Sequence, residues 1–358
     1  MTPEFTIKAS SPADLVAAVP FLIGFHPADS VVVVALRGKR VTFTARHDLP
    51  PPEHGAAAAA HLADVVARQD VGAVMLIGYG AATAVTPALV RSASALEQVG
   101  VAVLDQLRVT EGRWWSYYCT DPLCCPPEGN LCLPDNSPLA AAATYAGQVA
   151  LPNRAALLAQ VAPVTGPELE RMAAATARAH ERMAGLLGRA GADAERTVRR
   201  AGRSAVRDAE RHHRAGRRLS DDEVAWLALL VAADPVRDYA WDRMPGPEWR
   251  IELWSDVVRR VAPDHVAVPA CLVGFGAWLA GSGALAVAAV DRALAQEPRH
   301  RVARMLGEIL ALGVPPSVVD HPGLARPSGA DPGPDGRGRS RADPTPGRAG
   351  RRGRGRSR

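Results

Sequence analysis

The sequence predicts an α/β N-terminal domain, with a mixed, partly parallel sheet that includes an antiparallel hairpin, followed by an all-α helical domain with one tetratricopeptide-like helical hairpin. Three observations lead there. β-branched runs alternate with Ala-rich stretches over the first 120 residues. The order strand, helix, strand between 71 and 110 requires a crossover, and hence at least one parallel pair. From Ser137 onward almost every segment has helical spacing. A chain of 358 residues exceeds the roughly 250 at which single cores stop growing, so two domains are expected. They are placed at 1–135 and 136–318, with 319–358 as a disordered Arg/Gly/Pro-rich tail.

In chain order, Ser11-Pro12-Ala13-Asp14 has the form of a capping box with Pro at the first helical position, opening a helix expected to end near Pro20. SVVVVAL (30–36) and RVTFTARHDL (40–49) are β-branched runs joined at Gly38-Lys39, the pattern of a hairpin. A helix over about 55–69, a strand over 71–78, a helix over about 85–99 and a strand over 101–110 follow. Glu111-Gly112 then supplies a two-residue turn, which returns RWWSYYC as an antiparallel strand. Alternation puts Trp114, Ser116 and Tyr118 on one face, and Trp115, Tyr117 and Cys119 on the other. The Pro-rich piece after it, to about Pro138, is expected to be a loop, because Pro lacks the ladder donor and restricts its predecessor.

The helical half is predicted over 137–150, 153–161, 167–189, 192–217, 221–233 and 247–261, with capping-box starts at Thr165-x-x-Glu168 and Ser220-x-x-Glu223. Gly274, Trp278, Gly281, Ala286, Ala293 and Pro298 fit one register of a tetratricopeptide unit, read as a helical hairpin capped by 299–312. The uncharged run Pro269–Val290 has the hydropathy of a membrane span, but Gly281-Ser282-Gly283 divides it into pieces too short to cross.

Residues 321–358 carry ten Arg and three Asp, a net of +7, so the other 320 residues sum to −2 against a total of +5. The basic pI therefore belongs to the tail. A second basic block, 189–218, has ten Arg against four acids. Phosphate-backbone binding is one reading of such stripes. Against it, the tail contains no aromatic residue for stacking on bases, and Glu195, Asp208 and Glu210 interrupt the helix as on a solvated face. No basic region precedes the short apolar run at Leu15–Phe25, so a secretory signal is not expected and a reducing cytoplasm is.

Four of the five cysteines and four of the twelve Trp and Tyr residues fall between 112 and 132. This segment, GRWWSYYCTDPLCCPPEG plus Cys132, is where chemistry is expected. Together with LVAAVPFLIGFHPADSVVVVAL (15–36), TARHDLP (44–50) and ALAVAAVDRALAQEP (284–298), it resembles the actinobacterial domain-of-unknown-function 4192 family over roughly residues 5–315. The resemblance implies an α/β plus helical cytoplasmic chain and marks Trp114, Trp115, Ser116, Tyr117, Cys119, Cys124 and Cys125 as signature positions; it assigns no activity.

Four chemistries are open to these thiols. Zinc takes four ligands in a tetrahedron, so Cys119, Cys124 and Cys125 could hold it with Asp121 or His47, although adjacent cysteines seldom share one metal. Cys124 and Cys125 could form a vicinal disulfide, or one could exchange with Cys119. A nucleophilic thiol needs a base, for which His26 or His47 would have to approach. The favoured reading is reduced, small, buried cysteines pinning a Pro-rich loop. His26 with Asp29 and His47 with Asp48 offer the raw material of a general base, weighed against a turn at Pro27–Ser30 and an Arg46–Asp48 ion pair. Gly78-Tyr79-Gly80 sits where a dinucleotide turn would, with only Glu97 or Asp105 near the expected acidic position. Three functions follow: foremost a non-catalytic binding or protein-interaction module with a protein or peptide partner, then a cysteine-dependent or metal-binding enzyme, then a nucleic-acid accessory factor.

Overall fold

The computed structural model describes residues 11–319 apart from 39, 70, 135, 136 and 146. The predicted tail beyond 319, Lys39 of the hairpin turn and the 135/136 boundary lie outside the described residues. All elements named below lie in the compact unit that ends at Pro316.

Helix α1 (Pro12–Ile23) begins with the predicted capping box: the Asp14 N–H donates to Ser11 Oγ at 3.2 Å, and the Ser11 N–H to the Asp14 carboxylate at 3.1 Å. It does not end at Pro20. Pro20 stays inside the helix, which closes at Gly24 (φ +87°) with an N–H to the Pro20 carbonyl. The ring withholds one N–H from the ladder, and burial of Val16, Val19 and Pro20 offsets that loss.

Strands β1 (Ser30–Arg37), β2 (Arg40–Asp48), β3 (Ala73–Tyr79), β4 (Ala102–Thr110), β5 (Arg113–Ser116) and β6 (Asn130–Leu131) form one sheet in the order β2-β1-β3-β4-β5-β6. β3 and β4 are parallel and the other pairs antiparallel. The parallel pair exists because α3 (Ala82–Gln98) carries the chain back across the sheet. The two-residue β6, inside the predicted loop, was not expected; it pairs with Arg113 and Trp114.

Both faces of β1 are buried, so its side chains sort by parity. Val31, Val33 and Ala35 pack with Leu62 and Val66 of α2 (Gly55–Ala67) and Leu89 and Leu96 of α3. Val32 and Val34 pack with Leu15, Val16 and Val19 of α1, together with Ile77, Leu107 and Trp114. Gly78 is required by close packing: a Cβ there would lie 2.2 Å from Val85 Cγ1. Gly78 of the Gly78-Tyr79-Gly80 turn thus seats α3 on its strand, and Asp105 is engaged with Ser116.

The rest is helical: α4 (Pro138–Tyr145), α5 (Arg154–Leu158), α6 (Pro167–Ala190), α7 (Ala194–Arg214), α8 (Asp221–Val231), α9 (Asp234–Trp241), α10 (Trp249–Arg260), α11 (Ala267–Leu279), α12 (Gly283–Gln296) and α13 (Arg301–Ala311). The box at Ser220 and Glu223 forms as predicted. The one at Thr165 does not: Gly166 is the cap and Pro167 opens α6 without a side-chain bond. α9 is additional, since Asp234-Pro235 restarts the helix after α8. Arg260, 2% exposed, ties the layer together, donating to the Leu219 carbonyl at 2.8 Å and pairing with Asp221 at 2.5 Å and Asp256 at 2.9 Å. No helix among the described residues is long and apolar enough to cross a membrane. The uncharged run becomes α11 and α12, a hairpin bent at Gly281.

Candidate functional site

The turn at Glu111 (φ +49°) and Gly112 (φ +71°) folds β5 back onto β4, because two left-handed residues match the twist of the paired strands. Trp114 then points into the core with α1, while Trp115 and Tyr117 lie on the α3 side, as alternation requires. The Trp115 ring is covered by the Arg108 guanidinium, 3.7 Å from its centroid, and its indole N–H donates to the Pro127 carbonyl at 3.0 Å. Gly129 (φ +81°) lies flat against the indole, where a Cβ would stand 2.4 Å from Cε2. Tyr117 Oη is 2.5 Å from Thr86 Oγ1 on α3. The aromatic hairpin is therefore the clamp that holds both ends of the Pro-rich loop.

Ser116 sets the loop's first turn. Its hydroxyl donates to the Asp105 carboxylate, 2.8 Å from either oxygen, and accepts the N–H groups of Tyr118 at 3.1 Å and Cys119 at 2.9 Å. Asp121 sets the second. Its carbonyl accepts from Cys124 and Cys125, its carboxylate accepts from the Leu123 N–H at 2.9 Å, and Asn130 Nδ2 donates to the Cys124 carbonyl at 3.0 Å.

The result is convergence: the Sγ atoms of Cys119, Cys124 and Cys125 all lie within 4.8 Å of one another. The adjacent pair is 4.0 Å apart, far from the bond length of about 2.05 Å of a disulfide, and all five cysteines are free thiols. Sulfurs on one tetrahedral Zn²⁺ stand about 3.8 Å apart, given Zn–S near 2.3 Å. The two turns thus bring the three sulfurs, two of them neighbours in sequence, close to the spacing that ligands of one metal have. The backbone N–H of Asp121, then contact with Cys125, hold the Cys119 thiol below its ordinary range. Burial, then Cys119 and Cys124, push Cys125 up to about 12.

Of the trio, Cys124 is exposed and Cys119 half-buried, while Cys125 is half-buried and packs against the α1 core. Cys132 packs against the same core, and burial pushes the Cys271 thiol up to about 12. Cys132 stands outside the sulfur cluster.

The histidines do not join the thiols. The hairpin brings Asp29 and His47-Asp48 to one end, with Ser30 opposite Asp48 in register. They stand at the β2 edge, however, while the thiol loop hangs from β5, four strand spacings or about 19 Å away. His47 is thereby excluded as a ligand or base for these cysteines. His47 Nδ1 lies 2.8 Å from the Asp48 carbonyl, so it carries the proton, and burial lowers the pKa of the ring. Arg46 pairs with Asp48 at 2.6 Å, as the structural alternative required. His26 is exposed, with its backbone N–H bonded to the Leu151 carbonyl.

The segments that build this loop and the sheet below it lie inside a match to one family model, Domain of unknown function (DUF4192), over residues 12–317. The chain belongs to the DUF4192 family. No curated protein and no solved structure matches it. The family assigns no activity, so the chemistry of the DUF4192 thiol loop is argued from its own geometry.

Proposed function

We propose that the chain is a binding module whose working part is a thiolate metal site: Cys119, Cys124 and Cys125 hold one thiophilic ion, Zn²⁺ first, and a partner's donor or a water completes its sphere. The observation that carries this reading is the approach of the three sulfurs to within 4.8 Å of one another. Sulfur-rich, borderline-soft coordination is what zinc selects. The Asp121 carboxylate is engaged with Leu123 and the histidines stand across the sheet, which supports an open fourth position. Around the loop, Tyr118 is 46% exposed and Leu123 95%, an apolar rim suited to a protein partner. This favours binding over catalysis, because no base accompanies the thiols among the described residues.

The finer attributes belong to the same proposal. Free thiols throughout fit a reducing cytoplasm. The α11–α12 pair serves as a tetratricopeptide-like unit, with Gly274 3.0 Å, at a built Cβ, from Val290 Cγ2, the close crossing such a unit needs. The sheet module ends near 135 and the helical module begins there. Nucleic-acid binding is the weaker reading for the basic block, four of whose ten arginines, Arg196, Arg211, Arg217 and Arg218, pair with acids of this chain.

The test is elemental analysis of protein purified under reducing conditions and reloaded with Zn²⁺ after chelation. About one equivalent is expected, lost on Cys119→Ser, Cys124→Ser or Cys125→Ser and kept on Cys132→Ser and Cys271→Ser. Metal-free protein with all three thiols freely titrating would overturn the reading.

A further inference from the structure

A cavity of about 650 Å³ lies between β2 and the helices α2, α5, α12 and α13. Which part of β2 forms its wall decides what it can hold. A sheet face would contribute alternate residues, because successive side chains point to opposite faces. Seven consecutive residues, Val41 to His47, line the cavity instead, so the wall is the edge of the strand. Among the described residues β2 is terminal in the sheet and its ladder is with β1 alone. A register shift falls near Thr42, and from Phe43 to Asp48 the pairing is unbroken, leaving a regular outer edge.

Half of the N–H and C=O groups of such a strand point away from the sheet. Proteins commonly blunt exposed edges with charge, proline or a covering element. The stretch Val41–Ala45 has neither charge nor proline, and the helices opposite leave a space rather than a cover. The facing walls combine apolar Leu62, Val65, Leu157, Trp278 and Val287 with polar His61, Gln69, Arg154 and Asp291. At one end, Arg46 Nε, a donor, and His47 Nε2, an acceptor in the neutral ring, are buried without a hydrogen-bond partner among the described residues.

We propose that this cleft receives an extended peptide segment of another protein, added as a strand outside β2. The choice of occupant follows from the polar inventory. An aliphatic ligand would fill the apolar part of the walls but leave the edge groups it covers unpaired, whereas a peptide in strand conformation offers donors and acceptors at matching intervals and side chains to the walls. Residues 321–358 of this chain do not suit, since they contain no Val or Ile, are rich in Pro and Gly, and bring ten Arg towards Arg46 and Arg154. The site is independent of the thiol cluster, at the opposite edge of the sheet.

The test uses a synthetic heptapeptide selected on the full chain from a displayed random library. Its binding is expected to slow amide hydrogen exchange over Phe43–His47, and N-methylation at either the odd or the even positions of the peptide is expected to weaken it at least about tenfold while the other set has little effect. On the protein side, one of Thr44→Pro and Ala45→Pro removes an outward N–H and is expected to abolish binding with the melting curve retained. Recovery of no peptide, binding indifferent to both N-methylated sets, or displacement of the peptide by dodecanoate lodged in the cleft would each overturn the proposal.

Discussion

Ser116 and Gly129 are the residues on which the thiol cluster depends most, because each joins the loop to the sheet without touching a sulfur. The Ser116 hydroxyl serves one carboxylate and two backbone N–H groups, so Ser116→Ala strands several polar groups at once. We expect a loss of about 1–3 kcal/mol in urea unfolding. Zn²⁺ affinity should fall about 10–100-fold, the range for groups that orient metal ligands, measured by competition with a chromogenic chelator. Gly129→Ala meets two obstacles, a left-handed backbone and the Trp115 ring. A destabilisation of about 1–3 kcal/mol is expected, together with loss of the indole's bond to Pro127 seen as a change in tryptophan emission. The mark of these residues in the sequence was their position within the Trp/Cys segment, but the bonds they make could not be read from it.

At the scale of elements, α8 shows how a local signal carries a testable charge effect. Ser220 and Glu223 cap the helix, and Arg217 donates to the Glu223 carboxylate at 2.7 Å. That hydrogen bond is the largest influence holding Glu223 down at about 2 from its ordinary 4.5. A depressed carboxyl stabilises the fold in its ionised form, fully above the unfolded value and not at all once the folded group is protonated. The melting-temperature gap between the native chain and Glu223→Gln should therefore be widest near neutral pH, narrow below about pH 4.5 and close towards about pH 2. A gap that stays constant across that range would contradict the assignment. The capping boxes at Ser11 and Ser220 were legible because they rest on residues three apart; the apparent one at Thr165 failed because Gly166-Pro167 offers a competing start.

For the whole molecule, the linchpin of the helical layer is Arg260, which joins α8 and α10 and reaches Glu168 of α6 at 3.8 Å. Asp221, whose carboxyl the Arg260 hydrogen bond holds below its ordinary range, would lose its main cation on Arg260→Ala. The carboxylates left behind are partly exposed and keep Arg171 or Arg218 as partners, so a loss of about 1.5–3 kcal/mol is expected, read as a lower urea midpoint with an unchanged slope. Arg260→Met, which fills the space but not the bonds to Leu219, Asp221 and Asp256, should recover part of it.

What this protein's sequence determined unaided was local: the hairpin at Gly38, the parallel crossover through 71–110, the return at Glu111-Gly112, the split of the uncharged run at Gly281, and the segment worth questioning, because turn chemistry and periodicity act between near neighbours. It left open where distant pieces meet. Strand order alone separated His47 from the cysteines, and two turns closed by Ser116 and Asp121 drew Cys119, Cys124 and Cys125 together. α1 continued through Pro20 because the helix packs Val16 and Val19 against the sheet and buries Pro20, which no spacing rule contains. Such outcomes depend on hydrogen bonds and apolar contacts between residues far apart along the chain, and those contacts exist only in the folded molecule.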